Sequence, residues 1–508
     1  MTKFRFLLAL TLSLLLTTQA LAELYPIVDT GQNACFNNSR QIDCPEPVDD
    51  FNGQDAQYKG KQPTYINNGD GTITDQVTGL MWVKARGEKQ SFSSAMKGAQ
   101  ECRVGGYTDW RAPTIKELYS LIDFNGWAMG SSKGSMPFID TRYFDFKYGD
   151  TSKGERDIDC QDWSATEYVH TTMGGARTAF GVNFADGRIK GYPSRMRGSR
   201  NNKYIRYVRG NPQYGKNVFL KNIDGTITDK ATGLIWQRKD SGQGINWEDS
   251  LAYCENLTLS GESDWRLPSA KELQSILDYT RSPKTTDSAA IDPMFVTTDI
   301  EGWYWASTTH MDGPKPKNAV YLAFGRATGY FAPPKSNQSK RLLDVHGAGA
   351  QRSDPKSGSP ASGGHGPQGD VQRVLNYVRC VRGGGVAYYE PPYKRIPSWK
   401  GGGGGDNGSG GGGGVGGSMM NLNQRQGGGQ APNMHQSQSQ GMQQGQGMQR
   451  SGPPQEAFDA CDNKSQGDAC TVQTPHGTLK GLCSDMSDGT VCVPEGGPGG
   501  RPGGPPRQ

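Results

Sequence analysis

Gly69-Asp-Gly-Thr-Ile-Thr-Asp-Gln-Val-Thr-Gly-Leu-Met-Trp82 returns as Ile223-Asp-Gly-Thr-Ile-Thr-Asp-Lys-Ala-Thr-Gly-Leu-Ile-Trp236, with ten of fourteen positions identical. Self-similarity of this density marks an internal duplication. The register holds through Asp109-Trp-Arg-Ala-Pro-Thr-Ile-Lys-Glu-Leu-Tyr-Ser-Leu-Ile-Asp123 and Asp264-Trp-Arg-Leu-Pro-Ser-Ala-Lys-Glu-Leu-Gln-Ser-Ile-Leu-Asp278. It closes with Tyr204-Ile-Arg-Tyr-Val-Arg-Gly210 against Tyr377-Val-Arg-Cys-Val-Arg-Gly383. Two domains of ordinary size follow, at residues 61–212 and 213–385.

Within each copy, Asp70-Gly71 reads as a turn ahead of the alternating strand at Thr72, and Thr78-Gly79 leads into Leu80-Met-Trp82, which together predict a hairpin. A cysteine-bearing helix follows, over Ser93 to Cys102 and over Trp247 to Leu257. A second helix starts after Pro113 or Pro268, with Thr114 or Ser269 as N-cap and Glu117 or Glu272 three residues on, the pattern of a capping box. Short strands such as Ala319 to Phe324 then lead to a last strand around Tyr377 to Val381.

Outside the repeats, Lys3 and Arg5, the apolar run Phe6 to Leu16 and Ala20-Leu-Ala22 form an export signal, predicting cleavage of residues 1–22. Residues 23–60 form an N-terminal segment. Residues 386–455, rich in Gly, Gln and Met, predict a disordered linker, and 496–508 a Gly/Pro-rich tail. Between these lies a module at 456–495 whose Cys461, Cys470, Cys483 and Cys492 predict two disulfides, with three connectivities open. Cys35 and Cys44 are expected to close a short loop. No run of residues after the signal is apolar enough to span a bilayer, so the expectation is an exported extracellular, cell-surface or periplasmic protein without a membrane span.

The Gly-Asp-Gly-Thr opening, the Asp-Trp-Arg-x-Pro-Thr/Ser-x-x-Glu-Leu helix start, the Trp-x-x-Thr strand (Trp163 to Thr166, Trp305 to Thr308) and the Tyr-x-Arg-x-Val-Arg ending resemble the bacterial DUF1566 family. That family is also called the C-terminal domain of the Legionella collagen-like protein. The resemblance implies an α+β chain of two tandem C-type-lectin-like domains. It also implies a disulfide between the first helix and the last strand, which places Cys254 with Cys380. In the first copy Tyr207 replaces the last-strand cysteine, so Cys102 either pairs with Cys160 or stays free.

Catalytic constellations are not evident. Of six histidines no two form a metal-ligand pair, and His170 and His310 read as solvent-exposed loop residues, while His346 falls in insert sequence. Gly130-Ser-Ser-Lys-Gly134 matches a nucleophile elbow in letters but lacks the flanking strand and helix. Formylglycine-generating oxidases have a related fold but use a neighbouring cysteine pair late in the domain, where only Cys380 stands here. Asp70 to Asp75 lacks the ligand spacing of a calcium loop. The reading is therefore a non-enzyme without cofactor or metal, with calcium held elsewhere in the long loop, as in true lectins, as the alternative left open.

Charge supplies the remaining signal. The formal net charge is +5, and loss of Lys3 and Arg5 with the signal leaves +3. Yet nine basic residues and one acid lie between Arg177 and Arg209. Arg206 and Arg209 recur as Arg379 and Arg382, which suggests structural pairing with Glu117/Glu272 or Asp109/Asp264. Arg195, Arg197, Arg200 and Lys203 have no such counterpart, and Lys335, Lys340 and Arg341 form a looser group in the second copy. These seven are the candidate ligand-binding residues, because guanidinium and ammonium groups bind sulfate and phosphate. The family includes an adhesin domain that binds sulfated glycosaminoglycans, so the resemblance implies an adhesin-like protein binding an extracellular glycan or polyanion, or a surface or matrix protein. Nucleic acid is not expected as a partner. A structural component of an extracellular assembly, and an enzyme on the formylglycine-oxidase scaffold, are the alternatives.

Overall fold

The structure, a computed structural model, describes residues 25–195, 201–333, 338–360, 364–389, 460–461, 464–474, 477–486 and 489–494. The expected signal at residues 1–22, Arg197, Arg200, Lys335, residues 390–455 of the expected linker and the 496–508 tail lie outside them. Residues up to 393 form one compact unit and residues from 394 another.

Each repeat opens with the same antiparallel ladder. Thr72–Asp75 lies between Tyr65–Asn67 and Leu80–Val83, and the last of these pairs with Val208–Gly210. In the second copy Thr226–Asp229 lies between Phe219–Lys221 and Leu234–Gln237, which pairs with Val381–Gly383. The closing strand thus starts at Val381 rather than Tyr377, and Tyr377 instead makes an isolated parallel bridge with Tyr304. Asp70 starts the first ladder by accepting from the Thr72 amide and hydroxyl at 3.0 and 2.6 Å, and Asp224 does the same for Thr226. Those carboxylate oxygens are committed to a turn of the Asx type.

Four helices follow the repeat: α1 Phe92–Glu101, α2 Ile115–Ser120, α3 Trp247–Glu255 and α4 Ala270–Ser275. Both expected capping boxes are present, Thr114 with Glu117 and Ser269 with Glu272. The threonine of each Trp-x-x-Thr strand supports the same turn, since Thr166 Oγ1 accepts from the Ile115 amide at 3.0 Å and Thr308 Oγ1 from the Ala270 amide at 2.9 Å. Glu117 and Glu272 are held in forked pairs by Arg111 and Arg266, the arginines of the Asp-Trp-Arg motif. This corrects the expected pairing with the closing-strand arginines. Of those, Arg209 and Arg382 do pair with Asp109 and Asp264. Arg206 and Arg379 are fully buried and spend their guanidinium hydrogens on main-chain carbonyls, including Val83 and Asp145 for Arg206, and Gln237 and Val296 for Arg379.

The two copies do not merely sit in tandem. Asp162–Thr172, Ala176–Asn183 and Arg188–Pro193 of the first and Trp303–His310, Asn318–Ala323 and Gln351–Pro355 of the second make one six-stranded sheet. The halves meet where Ile189 pairs antiparallel with Gln351. These two positions occupy matching places in the two copies, each opposite the corresponding residue of its neighbour (Val182 or Leu322), so a pseudo-twofold axis passes between them. The helices obey the same symmetry. Lys116 of α2 donates to the Ser275 carbonyl at the end of α4 at 2.6 Å, and Lys271 of α4 donates to the Ser120 carbonyl at the end of α2 at 2.9 Å. A cation at a helix C-terminus satisfies a carbonyl that has no partner within the helix. One apolar core containing Trp82, Leu118 and Phe180 from one copy and Trp236, Leu273 and Leu322 from the other runs across the axis.

Cys254 and Cys380 are bonded, as are Cys35 and Cys44. Cys102 and Cys160 are both free, which decides between the two alternatives left open for Cys102. The physical reason is register. Counted from the Asp-Trp-Arg motif, the residue matching Cys254 is Ala99, and Cys102 lies three residues beyond it as the C-cap of α1. Tyr207, in the place of Cys380, reaches α1 instead, its hydroxyl donating to the Ala95 carbonyl at 3.1 Å. A Cβ at Gly98 would come within 2.3 Å of that hydroxyl, so a larger residue there would displace the end of the Tyr207 side chain. Cys160 is buried beside Ala185 and Tyr204, its thiol directed at Asn183.

In the second unit, Ala469–Thr474, Gly477–Met486 and Gly489–Pro494 form a three-stranded antiparallel sheet. Disulfides Cys461–Cys483 and Cys470–Cys492 decide among the three connectivities. Sulfurs of Cys461, Cys470 and Cys492 lie close together, but each already belongs to a disulfide, which removes them as metal ligands.

Candidate functional site

Two basic residues of the 177–209 run, Arg188 and Lys190, are consumed by the seam between the copies. Arg188 is buried and ion-paired with Asp186 at 3.3 Å and with Asp312. Lys190 meets Asp186 at 3.4 Å, and Arg352, opposite across the seam, meets Asp370. Burial pushes the Lys190 ammonium down to about 7. Burial alone would raise Asp186, but Lys190 and Arg188 hold it below the usual carboxylate range. Buried charges of both signs interleaved this closely fix how the two half-sheets meet, since stripping one partner leaves an uncompensated charge.

Two histidines belong to the same seam, against expectation. His310 is wholly buried in the Trp303–His310 strand, its Nε2 at 2.9 Å from the Asp186 carbonyl, and burial, aided by Arg188, lowers it to about 4. His346 is also buried, 2.8 Å from Asp370, and burial and Arg352 hold it well below its ordinary value. Both rings are neutral at pH 7. His170 is exposed as expected.

The seven candidate ligand-binding residues separate sharply. Lys203 is buried, stacked 5.4 Å from Trp163 and 5.1 Å from Tyr192, and burial lowers it to about 8; this corrects its place on an open loop. Arg197, Arg200 and Lys335 lie outside the described residues. Arg195, Lys340 and Arg341 are exposed. Although the last two come from the other copy, they approach the first. The Ser194 amide beside Arg195 donates to the Arg177 carbonyl at 2.8 Å, just past the hairpin turn at 173–175. At that turn the Met173 amide donates to the Asp344 carbonyl at 2.7 Å, on the Arg341–Asp344 strand. Arg177 is itself 58% exposed and touches Glu167 only at 3.9 Å. Exposed Arg177 and Arg195 thus lie at the base of this hairpin, and the strand that begins at exposed Arg341 in the other copy reaches the hairpin turn at its Asp344 end. Arg177 was counted in the basic run but not singled out.

Among the aromatic residues of the second copy, Trp303 and Tyr304 are core, and Tyr330 is 41% exposed. Gly130 to Gly134 forms bends and turns without a preceding strand or following helix.

The molecule is thus a duplicated, sheet-rich scaffold with disulfides, a charge-stitched seam and an exposed basic rim. The family profile of the Lcl C-terminal domain matches residues 71–209 and 225–343, and the chain belongs to that family. No curated protein and no solved structure matches it. Among the described residues no helix is long and apolar enough to cross a membrane.

Proposed function

We propose that this chain is an exported, adhesin-like binding protein that recognises a sulfated or otherwise polyanionic glycan, each repeat carrying a C-type-lectin-like fold. The observation that carries the reading is the exposure of Arg177, Arg195, Lys340 and Arg341 on two segments that meet at the 173–175 turn. Polyanions are recognised by several exposed cations in one patch, each contributing modestly and losing strength with salt. The helix-to-last-strand disulfide Cys254–Cys380 supports the lectin-like reading of the second copy.

The test is retention on immobilised heparin against a neutral polysaccharide over a salt series. Heparin-selective retention should fall with rising salt and be lost on joint Arg177→Ala, Arg195→Ala and Arg341→Ala substitution. Absence of retention at low salt, or unchanged retention by the triple variant, refutes the site.

A further inference from the structure

The pseudo-twofold axis creates two related grooves: the N-terminal segment, a strap over residues 25–61, fills one, whereas in the other the inter-repeat segment at 212–219 lines one side, Lys116 donating to the Gly215 carbonyl as Lys271 does to that of Asp29, and the threonine end stays open. The filled one lies at the start of α4 among Arg266, Ser269, Glu272 and Ser307, where the N-terminal segment occupies it and leaves a void of about 20 Å³. Asp55 is the plug. Its carboxylate accepts from the hydroxyl of Thr308 and, at 2.8 Å, from that of Thr30. Alongside, the Gln32 carboxamide spans the main chain of Thr309, donating to its carbonyl at 2.8 Å and accepting from its amide at 2.9 Å. The Phe124 amide of the first copy donates to the Thr30 carbonyl at 2.8 Å, forming the far wall. Tyr58 covers Arg266 with its ring 5.3 Å away.

The counterpart lies at the start of α2, with Arg111, Thr114 and Glu117 in place of Arg266, Ser269 and Glu272, and Thr166 in place of Thr308. Its far wall is Asp278 and Tyr279, matching Asp123 and Phe124. This groove is open, with a volume of about 560 Å³. The Arg111 side chain is 35% exposed where that of Arg266 is 3% exposed, and Ala165 is exposed where Ser307 is buried. Thr166 accepts from the Ile115 amide as Thr308 accepts from Ala270, yet among the described residues its hydroxyl hydrogen meets no acceptor. One strap thus serves two grooves, and a second copy of the chain, whose own strap is already seated, has none to lend.

We infer that the groove of the first repeat is a docking site for a peptide segment of a partner protein that presents a carboxylate to Thr166 as Asp55 presents one to Thr308. Recognition rests on the Thr166 hydroxyl, the open face of Arg111 and the Tyr279 wall. It is separate from the basic rim and does not depend on it.

A synthetic peptide of residues 25–61, oxidised at Cys35 and Cys44 and carrying a photo-crosslinker beside Asp55, is titrated against the full mature chain by calorimetry. Saturable binding with crosslinks to α2 or to the strand at Thr166 is expected. Asp55→Ala in the peptide should weaken it about tenfold or more, the loss expected of a charge-assisted hydrogen bond. Ala165→Trp in the protein, a change at an exposed position, should abolish binding by filling the groove, while Arg195→Ala with Arg341→Ala should leave it unchanged. The inference is overturned by absence of binding at millimolar peptide, by equal binding of the Asp55→Ala peptide, by indifference to Ala165→Trp, or by crosslinks confined to α4, which would mean exchange with the resident strap.

Discussion

Replacing Cys254 and Cys380 together by alanine tests whether the second repeat depends on its cross-link as the geometry implies. The bond closes 126 residues of chain. In the chain-entropy treatment a loop of that length raises the unfolded-state free energy by about 5 kcal/mol at 25 °C, and measured losses for native disulfides run from about 2 to 5 kcal/mol. Both sulfurs are wholly buried among Trp247, Trp305 and Val378, so the alanines also leave a small void. That cavity adds on the order of 1 kcal/mol. Guanidinium unfolding followed by tryptophan fluorescence is the assay, because Trp247, Trp265, Trp303 and Trp305 all lie in the cluster around the bond. Since one core spans both repeats, the whole transition should move to lower denaturant. A loss below about 1 kcal/mol, or a change confined to a minor early phase, would refute both the estimate and the claim of a common core.

Two further outcomes follow from single side chains. Thiol titration of the native protein should find one reactive group, Cys102, and a second only after denaturation, because burial pushes the Cys160 thiol up to about 12; zero thiols in denaturant would mean the two are bonded after all. Burial, reinforced by Asp29, raises the Asp55 carboxyl to about 7, so the folded state holds a proton there that the unfolded chain has released. Its contribution to stability is full below about pH 4 and is lost as pH rises to about 7, so the wild-type stability minus that of Asp55→Asn should decline over that window by up to about 4 kcal/mol. Parallel pH profiles for the two proteins would count against this.

What the chain spells out locally was legible: the duplicated hairpin, both capping boxes and the loop closed by Cys35 and Cys44. The match of Cys254 with Cys380 came through family resemblance. The position of Cys102 could also have been read, since counting from Asp109 and Asp264 sets Ala99 against Cys254. Presence of a cysteine on the helix was given more weight than its register. His310, His346 and Lys190 were a different matter. Their burial comes from the joining of two half-sheets and from the 338–360 segment folding back, and contacts between residues over a hundred positions apart leave no local trace. Lys203 is buried within the first copy, against Trp163 and Tyr192. The approach of the Arg341–Asp344 strand to the 173–175 turn has the same long-range origin.

The pairing of Ile189 with Gln351 also has a consequence for biosynthesis. Until Gln351–Pro355 has emerged, the Arg188–Pro193 strand is an uncovered sheet edge, the kind of surface on which chains aggregate. The strap must wait still longer, because the Asn37 carbonyl receives its bond from Lys356. A truncation after the first repeat is therefore expected to yield not a half-sized working domain but a sticky fragment. Folding of the first repeat is expected to complete only after Gln351–Pro355 has been synthesised, a delay set by pairing partners far apart in sequence.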